Sequence, residues 1–557
     1  MYPDYMLESI HKVEQTRPER LEIARRLGKQ IYPAMTGPER EAILSRFHPD
    51  YKPDSRRAVR VGVNKGENLT SEIADLLESY SRIKPEQFDL KKWDLETDVL
   101  IIGAGSAGMS AALTAAQQGV QVTLVTKHRL GDSNSMMAQG GIQAATQRDD
   151  SPVIHFLDVV GGGHFDNLPA LVRALVNDAP ESIKWLEELG VMFDKKADGT
   201  LLTVAGGGTS RNRMHSARDY TGAAICRVLR DEVYNQPDRI KYLEYTAIVE
   251  LILDSHKQVI GAIAYHLETK KYSLIKARSI IIATGGFGRL HIQGFETTNH
   301  YGATADGLVL AYRAGVKLLY MDSVQYHPTG ALFPEQIVGF LCTEKIRSIG
   351  AQPVNKDGEL FVWPLEPRDV ESAAFIRECV ERQKGVVTPS GKVGIWLDSP
   401  LIDQINGPGF TEKSLPAMLR QYRRFDIDIR EFPMLVYPTL HYQNGGVTIN
   451  DHGETTLPGL YVAGEAAGGI HGRNRLMGNS QLDIIVFGRR SGLHAALRAK
   501  KGVKFGKPSL QHVLAYEKEV AELGINPKKI APILLPDYIP DHVKAKQLTV
   551  EYFGNLF

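Results

Sequence analysis

The stretch at residues 98–108 constrains the fold of this chain more than any other part of the sequence. Four consecutive apolar residues, 99–102, predict a buried parallel strand, and a Gly-x-Gly-x-x-Gly turn follows them directly. The next residues are rich in Ala and predict a helix that runs to Gln118, with Gly119 as its C-cap. The order strand, glycine turn, helix is typical of a dinucleotide-binding unit.

The three glycines of this turn each have a physical role. Gly103 permits a sharp bend, Gly105 lets the backbone approach a pyrophosphate, and Gly108 lets the helix pack closely against the strand. The free N–H groups at the start of the following helix attract phosphate charge. Together these features predict that the turn binds a dinucleotide.

The residues after the second predicted strand, 121–125, bear on the kind of dinucleotide. A standard NAD site has Asp or Glu at the end of this strand, where the carboxylate holds the ribose. Here Thr126 and Lys127 occupy that position. The sequence therefore disfavours a standard NAD site, and it contains no second Gly-x-Gly-x-x-Gly turn for NAD(P)H.

Charge and cysteine content exclude several classes of protein. The formal net charge is +1 over 557 residues, which argues against nucleic-acid binding and against electrostatic attraction to membranes. Cys226, Cys342 and Cys379 are far apart in the sequence, so we expect neither an iron–sulfur cluster nor another metal site. The N-terminus lacks a signal-peptide core and no apolar run reaches about 18 residues, which predicts a cytoplasmic protein without direct membrane insertion.

Short motifs of small residues recur at separate places along the chain. They lie at 131–142, at 280–286 after another buried strand, at 304–307 before a helix, and at 459–465. Flavoproteins of the two-dinucleotide-binding type assemble an FAD site from pieces separated in this way. The sequence therefore predicts FAD rather than NAD as the cofactor.

Further motifs carry a resemblance to a known family. Over about residues 95–500 the chain resembles the flavoprotein of the succinate dehydrogenase/fumarate reductase family, which also includes L-aspartate oxidase. The motifs are specific because they lie far apart and occur in the family's order. They are Ala138–Ile142, Ala283–Gly286, Gln325–Gly330, Thr343–Arg347, Arg368–Val370, His441–Tyr442 and His471–Ser480.

The resemblance implies an α/β fold in which a Rossmann-like FAD domain is interrupted by an α+β capping domain, with a helical N-terminal extension. The extension is charged and has no recognisable ligand set, so we expect it to pack on a partner or on the chain's own core. The expected segments are 1–92 for the extension, 93–320 and 431–500 for the FAD domain, 321–430 for the capping domain, and 501–557 for a C-terminal tail.

The resemblance also indicates which small and polar residues hold FAD. They are Gly103, Gly105, Ser106, Ala107, Gly108, Thr126, Lys127, Ser133, Asn134, Ser135, Gln139, Gly140, Gly141, Ala247, Ala283, Thr284, Gly285, Asp306, Glu465, Asn479, Ser480 and Leu482.

The same resemblance places a dicarboxylate, or a related unsaturated acid, between the two domains. His441 and Arg475 can clamp one carboxylate by charge-assisted hydrogen bonds, while His327 and Thr343 hold the other. A twisted and polarised double bond accepts hydride more readily at one carbon.

The resemblance also implies a path for the proton. Flavin N5 supplies the hydride and Arg368 the proton, which returns through Glu344 and Arg347. Arginine rarely loses its proton, so the alternative is that Arg368 only neutralises developing charge while a water delivers the proton.

Four departures from the family pattern affect the prediction. Membrane-bound members attach FAD covalently through the His of a Ser-His-Thr triplet, whereas this chain has Ser133-Asn134-Ser135. We therefore expect non-covalent FAD. The resemblance then favours reduction of a double bond, or oxidase-like chemistry, over oxidation of succinate.

Arg473 stands where a small residue is usual and adds a cation near the expected clamp. Gln443-Asn444 replaces a more apolar pair beside His441, and the segment between His327 and Thr343 is longer than usual. The substrate can therefore be larger or more anionic than fumarate.

The electrons must come from another polypeptide, from a free reductant or from oxygen, since the chain lacks an NAD(P)H fold, a haem motif and cluster cysteines. We expect an iron–sulfur protein as partner, through which the chain can be peripheral to a membrane. Two alternatives remain: oxidation of L-aspartate, or an electron-transfer FAD subunit without turnover of a small substrate. The retained active-site set argues against the second alternative.

Overall fold

The core of the FAD-binding region is an eight-stranded sheet in a computed structural model that describes residues 1–28 and 30–536. The strand Leu95–Ile102 pairs in parallel with Val122–Val125 on one side and with Tyr272–Ile282 on the other. Residues 99–102 are at most 4% exposed, which confirms the predicted buried parallel strand. The parallel strands end at one edge of the sheet, where the glycine turn lies.

The turn and its helix have the expected geometry. The helix is Ser106–Gln117, so it begins three residues earlier than the Ala-rich segment suggested. Gly103 has φ 106°, and a Cβ there would lie 2.3 Å from the carbonyl oxygen of Ala283. A Cβ on Gly108 would lie 1.8 Å from the carbonyl oxygen of Gly103, so close packing requires glycine at both positions.

The rest of the FAD-binding region surrounds this sheet. The strands Thr246–Asp254 and Val259–His266 are antiparallel, whereas Ile240–Leu243 and Leu460–Val462 extend the parallel part. The helices are Ser106–Gln117, Asn134–Met137, Pro152–Gly162, Pro169–Glu188, Thr221–Tyr234, Asp306–Arg313 and Asn479–Lys500. Short strands lie at Ile142–Gln143, Thr203–Val204, Met214–His215, Leu318–Leu319, Gly446–Thr448, Ala467–Gly468 and Pro508–Ser509.

The capping region has an antiparallel sheet of its own. Its strands run in the order Val324–Ala331, Met434–Gln443, Val393–Asp398 and Gln352–Val354, with Val386–Val387 beside the third. The second of these strands lies beyond the expected segment end at 430, so the sheet of this region continues to Gln443. Its helices are Lys345–Ser348, Arg368–Val380, Leu401–Asn406, Phe410–Ser414 and Pro416–Arg423.

The N-terminal extension packs on the chain's own core. The helices Asp4–Leu27 and Gly37–Phe47 share an apolar cluster with the capping region, and the second begins with a capping box at Thr36, as its sequence suggests. Residues from Val59 onward join the cluster of the FAD-binding region instead. The extension is only partly helical, because it also contains the strands Arg56–Ala58, Asn68–Thr70 and Tyr80–Ser81. Its third helix is Ser71–Leu77.

The C-terminal segment also lies over the chain itself. After the helix Gln511–Glu522, the strand Ile530–Ala531 pairs in parallel with Tyr80–Ser81 of the extension. Residues 537–557 of the expected C-terminal tail lie outside the described residues. Within the described part of the chain, no helix is long and apolar enough to cross a membrane.

Candidate active site

A cleft with about 870 Å³ of empty space opens at the carboxyl edge of the sheet. Fourteen of the residues predicted to hold FAD line this cleft. They are Gly103, Gly105, Ala107, Thr126, Lys127, Ser133, Asn134, Ser135, Ala247, Ala283, Thr284, Gly285, Asp306 and Glu465.

The other predicted cofactor residues do not line the cleft. Ser106 and Gly108 lie in the first turns of the helix beneath it, where the Ser106 Oγ lies 3.0 Å from the Cys226 thiol. Asn479 is buried beside His155, whose Nε2 lies 3.1 Å from its Oδ1. The remaining members of this group are Gln139, Gly140, Gly141, Ser480 and Leu482.

The residues of the cleft fit a dinucleotide. The glycine turn leaves no room for side chains, so its backbone can approach a pyrophosphate. At the end of the second strand, Lys127 Nζ donates to Asp306 Oδ2 and to Thr304 Oγ1, each at 2.7 Å. Sequence reasoning missed His128 and His300, which also line the cleft and pack edge to face. No motif marks these two histidines, since only the fold brings them together.

Asn134 and Glu465 complete the wall of the cleft. The Asn134 amide donates to Asn299 Oδ1 at 2.6 Å, and the backbone N–H of His300 donates to Asn134 Oδ1 at 2.5 Å. Burial raises the pKa of Glu465 to about 7, although its Oε1 accepts from the backbone N–H of Gln443. Both side chains therefore offer hydrogen bonds rather than a fixed charge to a bound ring system.

Gly103→Ala is expected to abolish retention of FAD. A non-glycine residue at this φ costs about 1–3 kcal/mol, and the added Cβ also meets the Ala283 carbonyl, so the turn must move. The measurement is the ratio of flavin to protein after purification. Gly119→Ala is the matched control, because that residue has φ 81° with no atom within 4 Å of the added Cβ. Equal flavin content in the two variants would contradict the expected role of the turn.

Two buried arginines converge on one side chain in the second part of the site. The Arg368 Nη1 and the Arg475 Nη2 both donate to Gln325 Oε1, at 3.0 Å and 2.9 Å. Burial and the nearby charge of Arg368 lower the pKa of Arg475 to about 9. Two guanidinium groups that share one neutral acceptor form a strong site for an anion.

Gln325 was missed as a site residue, although it begins one of the family motifs. The signal was available, since alternate residues of a strand share a face and Gln325 stands two positions before His327.

The other members of the proposed proton path form a chain behind Arg368. The Arg368 Nε donates to Glu344 Oε2 at 2.7 Å, and the Arg347 Nη2 lies 3.6 Å from the same oxygen. The backbone N–H of Gly207 donates to Glu344 Oε1 at 2.7 Å. Burial raises the pKa of Glu344, but the charges of Arg368 and Arg347 outweigh it and hold that pKa below its usual value.

The two histidines of the site lie next to each other, with ring centroids 5.0 Å apart. Burial and the charge of Arg368 hold the pKa of both His327 and His441 well below the usual value, so the rings are neutral. The backbone N–H of Thr329 donates to His327 Nδ1 at 3.2 Å, which leaves the ring proton on Nε2. The His441 Nδ1 lies 2.7 Å from Thr298 Oγ1, a contact that sequence reasoning also missed.

Three more residues border the site: Thr343 and Cys342 are buried, and Arg473 forms ion pairs. Thr343 is buried next to Glu344, and its Oγ1 accepts from the backbone N–H of Lys345 at 3.3 Å. Burial raises the pKa of the Cys342 thiol to about 12, so it is inert. Arg473 adds no free cation to the site, contrary to expectation, because it donates to Asp166 at 2.6 Å and to Asp322 at 2.7 Å.

Comparison with known proteins agrees with this geometry. Residues 98–481 match the family model of the FAD binding domain. A subunit of the fumarate reductase (CoM/CoB) of Methanothermobacter marburgensis is 38% identical over 415 residues, covering 72% of this chain and 73% of that protein. L-aspartate oxidase of Streptomyces coelicolor is 33% identical, covering 72% and 68%. A mutant of E. coli quinol fumarate reductase superposes with a TM-score of 0.69 at 29% identity, covering 78% of this chain and 74% of that chain.

The sheet, the glycine turn and the matching domain define an FAD-dependent oxidoreductase of the two-dinucleotide-binding type. The fold is that of the fumarate reductase flavoproteins, and the matched region includes the glycine turn and the strands that surround the cleft. The chain belongs to the succinate dehydrogenase/fumarate reductase flavoprotein family, which includes L-aspartate oxidase.

Proposed function

We propose that the chain is the flavoprotein of a fumarate reductase/succinate dehydrogenase-like enzyme, which reduces a carbon–carbon double bond activated by carboxylates. The observation that carries the proposal is the pair Arg368 and Arg475 on Gln325, with two neutral histidines beside them. The nearby Glu344 compensates only part of the positive charge. A substrate with two carboxylates supplies the missing negative charge.

The residues of the chain have distinct tasks in this proposal. His441 and Arg475 bind one carboxylate, while His327 and Thr343 bind the other and orient it. The neutral His327 donates through its Nε2–H without adding charge. Bound FAD, held by the glycine turn and the residues of the cleft, supplies the hydride.

Arg368 delivers the proton in this proposal. Burial lowers the pKa of its guanidinium, even though Glu344 partly offsets this, so release of a proton is less costly than in water. Glu344 and Arg347 then return a proton to Arg368. The bond that breaks is an N–H of Arg368, and the bond that forms is a C–H of the product.

We further propose that FAD is bound without a covalent link and that an iron–sulfur protein delivers the electrons. Asn134 supports the first statement, because its amide lies in the cleft and has no nucleophilic ring nitrogen. The three cysteines support the second, since each is free and buried at a separate place in the fold and offers no shared ligand set. Release of flavin after acid precipitation tests the first statement.

The proposed activity is tested with dithionite-reduced protein under anaerobic conditions, by following reoxidation of the flavin. Fumarate is expected to reoxidise it about tenfold or more faster than crotonate, which lacks one carboxylate and so forfeits a set of charge-assisted hydrogen bonds. Equal rates for the two acids would contradict the two-carboxylate site.

L-aspartate oxidation is the second candidate, since one relative named L-aspartate oxidase is 33% identical over 413 residues. The assay is reduction of the oxidised flavin by L-aspartate before oxygen is admitted. We expect no reduction, because the two arginines repel the ammonium group of L-aspartate and the two neutral histidines offer it no negative charge. Bleaching of the flavin by L-aspartate would favour amino-acid oxidation instead.

A further inference from the structure

Glu371 is a buried carboxyl group without a role in the mechanism above. It lies on the helix Arg368–Val380, one turn after Arg368, and its side chain is 0% exposed. One carboxyl oxygen accepts from the Arg347 Nη1, while the other, Oε1, has no partner among the described residues. Burial of a half-satisfied carboxyl group costs stability, so its presence calls for a functional explanation.

Arg347 connects Glu371 to the proposed proton path. Its Nη1 donates to Glu371 and its Nη2 lies 3.6 Å from Glu344 Oε2. Glu344 in turn accepts from Arg368, so carboxyl and guanidinium groups alternate from Glu371 to the proposed donor. The charged groups that face Glu371 are Arg347, Glu344, Glu366 and Arg368.

A pocket that shares no lining residue with the FAD cleft borders Arg347. It contains about 650 Å³ of empty space and is lined by Arg347 and by Pro364, whose carbonyl accepts from the Arg347 Nη1 at 2.6 Å. The end of the first helix of the extension also lines the pocket, with Ala24 and Gly28. Such a pocket is large enough for several waters beside Arg347.

We propose that Glu371 holds the proton that recharges the path to Arg368, and that this pocket supplies it. This inference rests on the proposed function. In each cycle the O–H bond of Glu371 breaks and an O–H bond forms on Glu344. The Arg347 guanidinium passes one proton on and receives one, so it is a cation before and after. A hydronium ion in the pocket then returns a proton to Glu371 through the Arg347 guanidinium, which lines the pocket and contacts Glu371, and a water molecule is left behind.

The electrostatics of the two carboxyl groups support this order. Burial raises the pKa of Glu371 well above its usual value, whereas the pKa of Glu344 lies below its usual value. A pair of carboxyl groups with pKa values pushed apart separates the group that holds a proton from the group that receives it.

The test compares Glu371→Gln with the matched control Glu378→Gln in the full-length holoprotein. Gln keeps the acceptor for Arg347 but carries no transferable proton, so fumarate reduction is expected to fall about 10²-fold with KM unchanged and with a larger solvent isotope effect. Glu378 lies on the same helix, is equally buried and pairs with Arg382, so its variant is expected to keep the wild-type rate. Glu371→Asp, which retains a carboxyl group, is expected to recover part of the rate.

Infrared titration provides a readout that does not depend on turnover. Glu465 and Asp50 have pKa values of about 7 and also contribute protonated-carboxyl bands, so the readout is the spectrum of each variant minus that of the wild type at pH 7. Loss of one protonated-carboxyl band is expected for Glu371→Gln and no loss for Glu378→Gln. Absence of that loss in Glu371→Gln, or a wild-type rate and isotope effect in this variant, would overturn the inference while leaving the proposed function intact. Failure of the wild type itself to reduce fumarate would overturn both.

Discussion

Replacement of Arg368 with Gln is expected to lower fumarate reduction by about 10²- to 10⁴-fold, the usual contribution of a positioned acid. The amide of Gln carries no cation and no acidic proton, and Glu344 loses the partner that accepts its returned proton. FAD content is expected to stay normal, because Arg368 does not line the cofactor cleft. The measurement is the steady-state rate together with the flavin-to-protein ratio.

Arg377→Gln serves as the control for this substitution, because Arg377 lies on the same helix and is half-buried away from Gln325. It should leave both the rate and the flavin content unchanged. Retention of the wild-type rate by Arg368→Gln would favour delivery of the proton by water. If the wild type does not turn over fumarate, and Arg368→Gln leaves the activity of a larger redox complex unchanged, the chain would have an electron-transfer role instead.

Replacement of Asp398 with Asn is expected to destabilise the protein by about 3–5 kcal/mol, the usual cost of breaking a buried ion pair. Asp398 is fully buried and accepts from Arg17 and Arg20 of the first helix, with the Arg20 Nη2 at 2.8 Å. Loss of its charge leaves two guanidinium groups uncompensated between the extension and the capping region. The measurement is the free energy of unfolding in urea.

An exposed ion pair at the same junction provides the control. Lys12 and Asp357 join the same helix to the capping region at 2.9 Å, but their side chains are 54% and 33% exposed. Asp357→Asn is therefore expected to cost no more than about 1 kcal/mol. Equal destabilisation by the two substitutions would show that burial does not set the strength of this junction.

The sequence by itself determined the features that depend on neighbouring residues. The apolar run at 99–102 and the glycine spacing after it require a buried strand and a tight turn, whatever the rest of the chain does. Lys127 was correctly placed at the end of the second strand because strand and turn are local in sequence. The family motifs likewise located Arg368, Glu344 and Arg475, which the structure brings into one chain of contacts through Gln325.

Only the tertiary structure decided which distant groups meet. Three contacts join residues from separate elements. Gln325 lies between two arginines, Glu371 is buried against Arg347, and two carboxylates compensate the charge of Arg473. The extension is rich in charged residues, yet Arg17 and Arg20 bury their charges against Asp398. Local sequence specifies which charges are present, but their energies depend on burial and partners, and these exist only once the chain has folded.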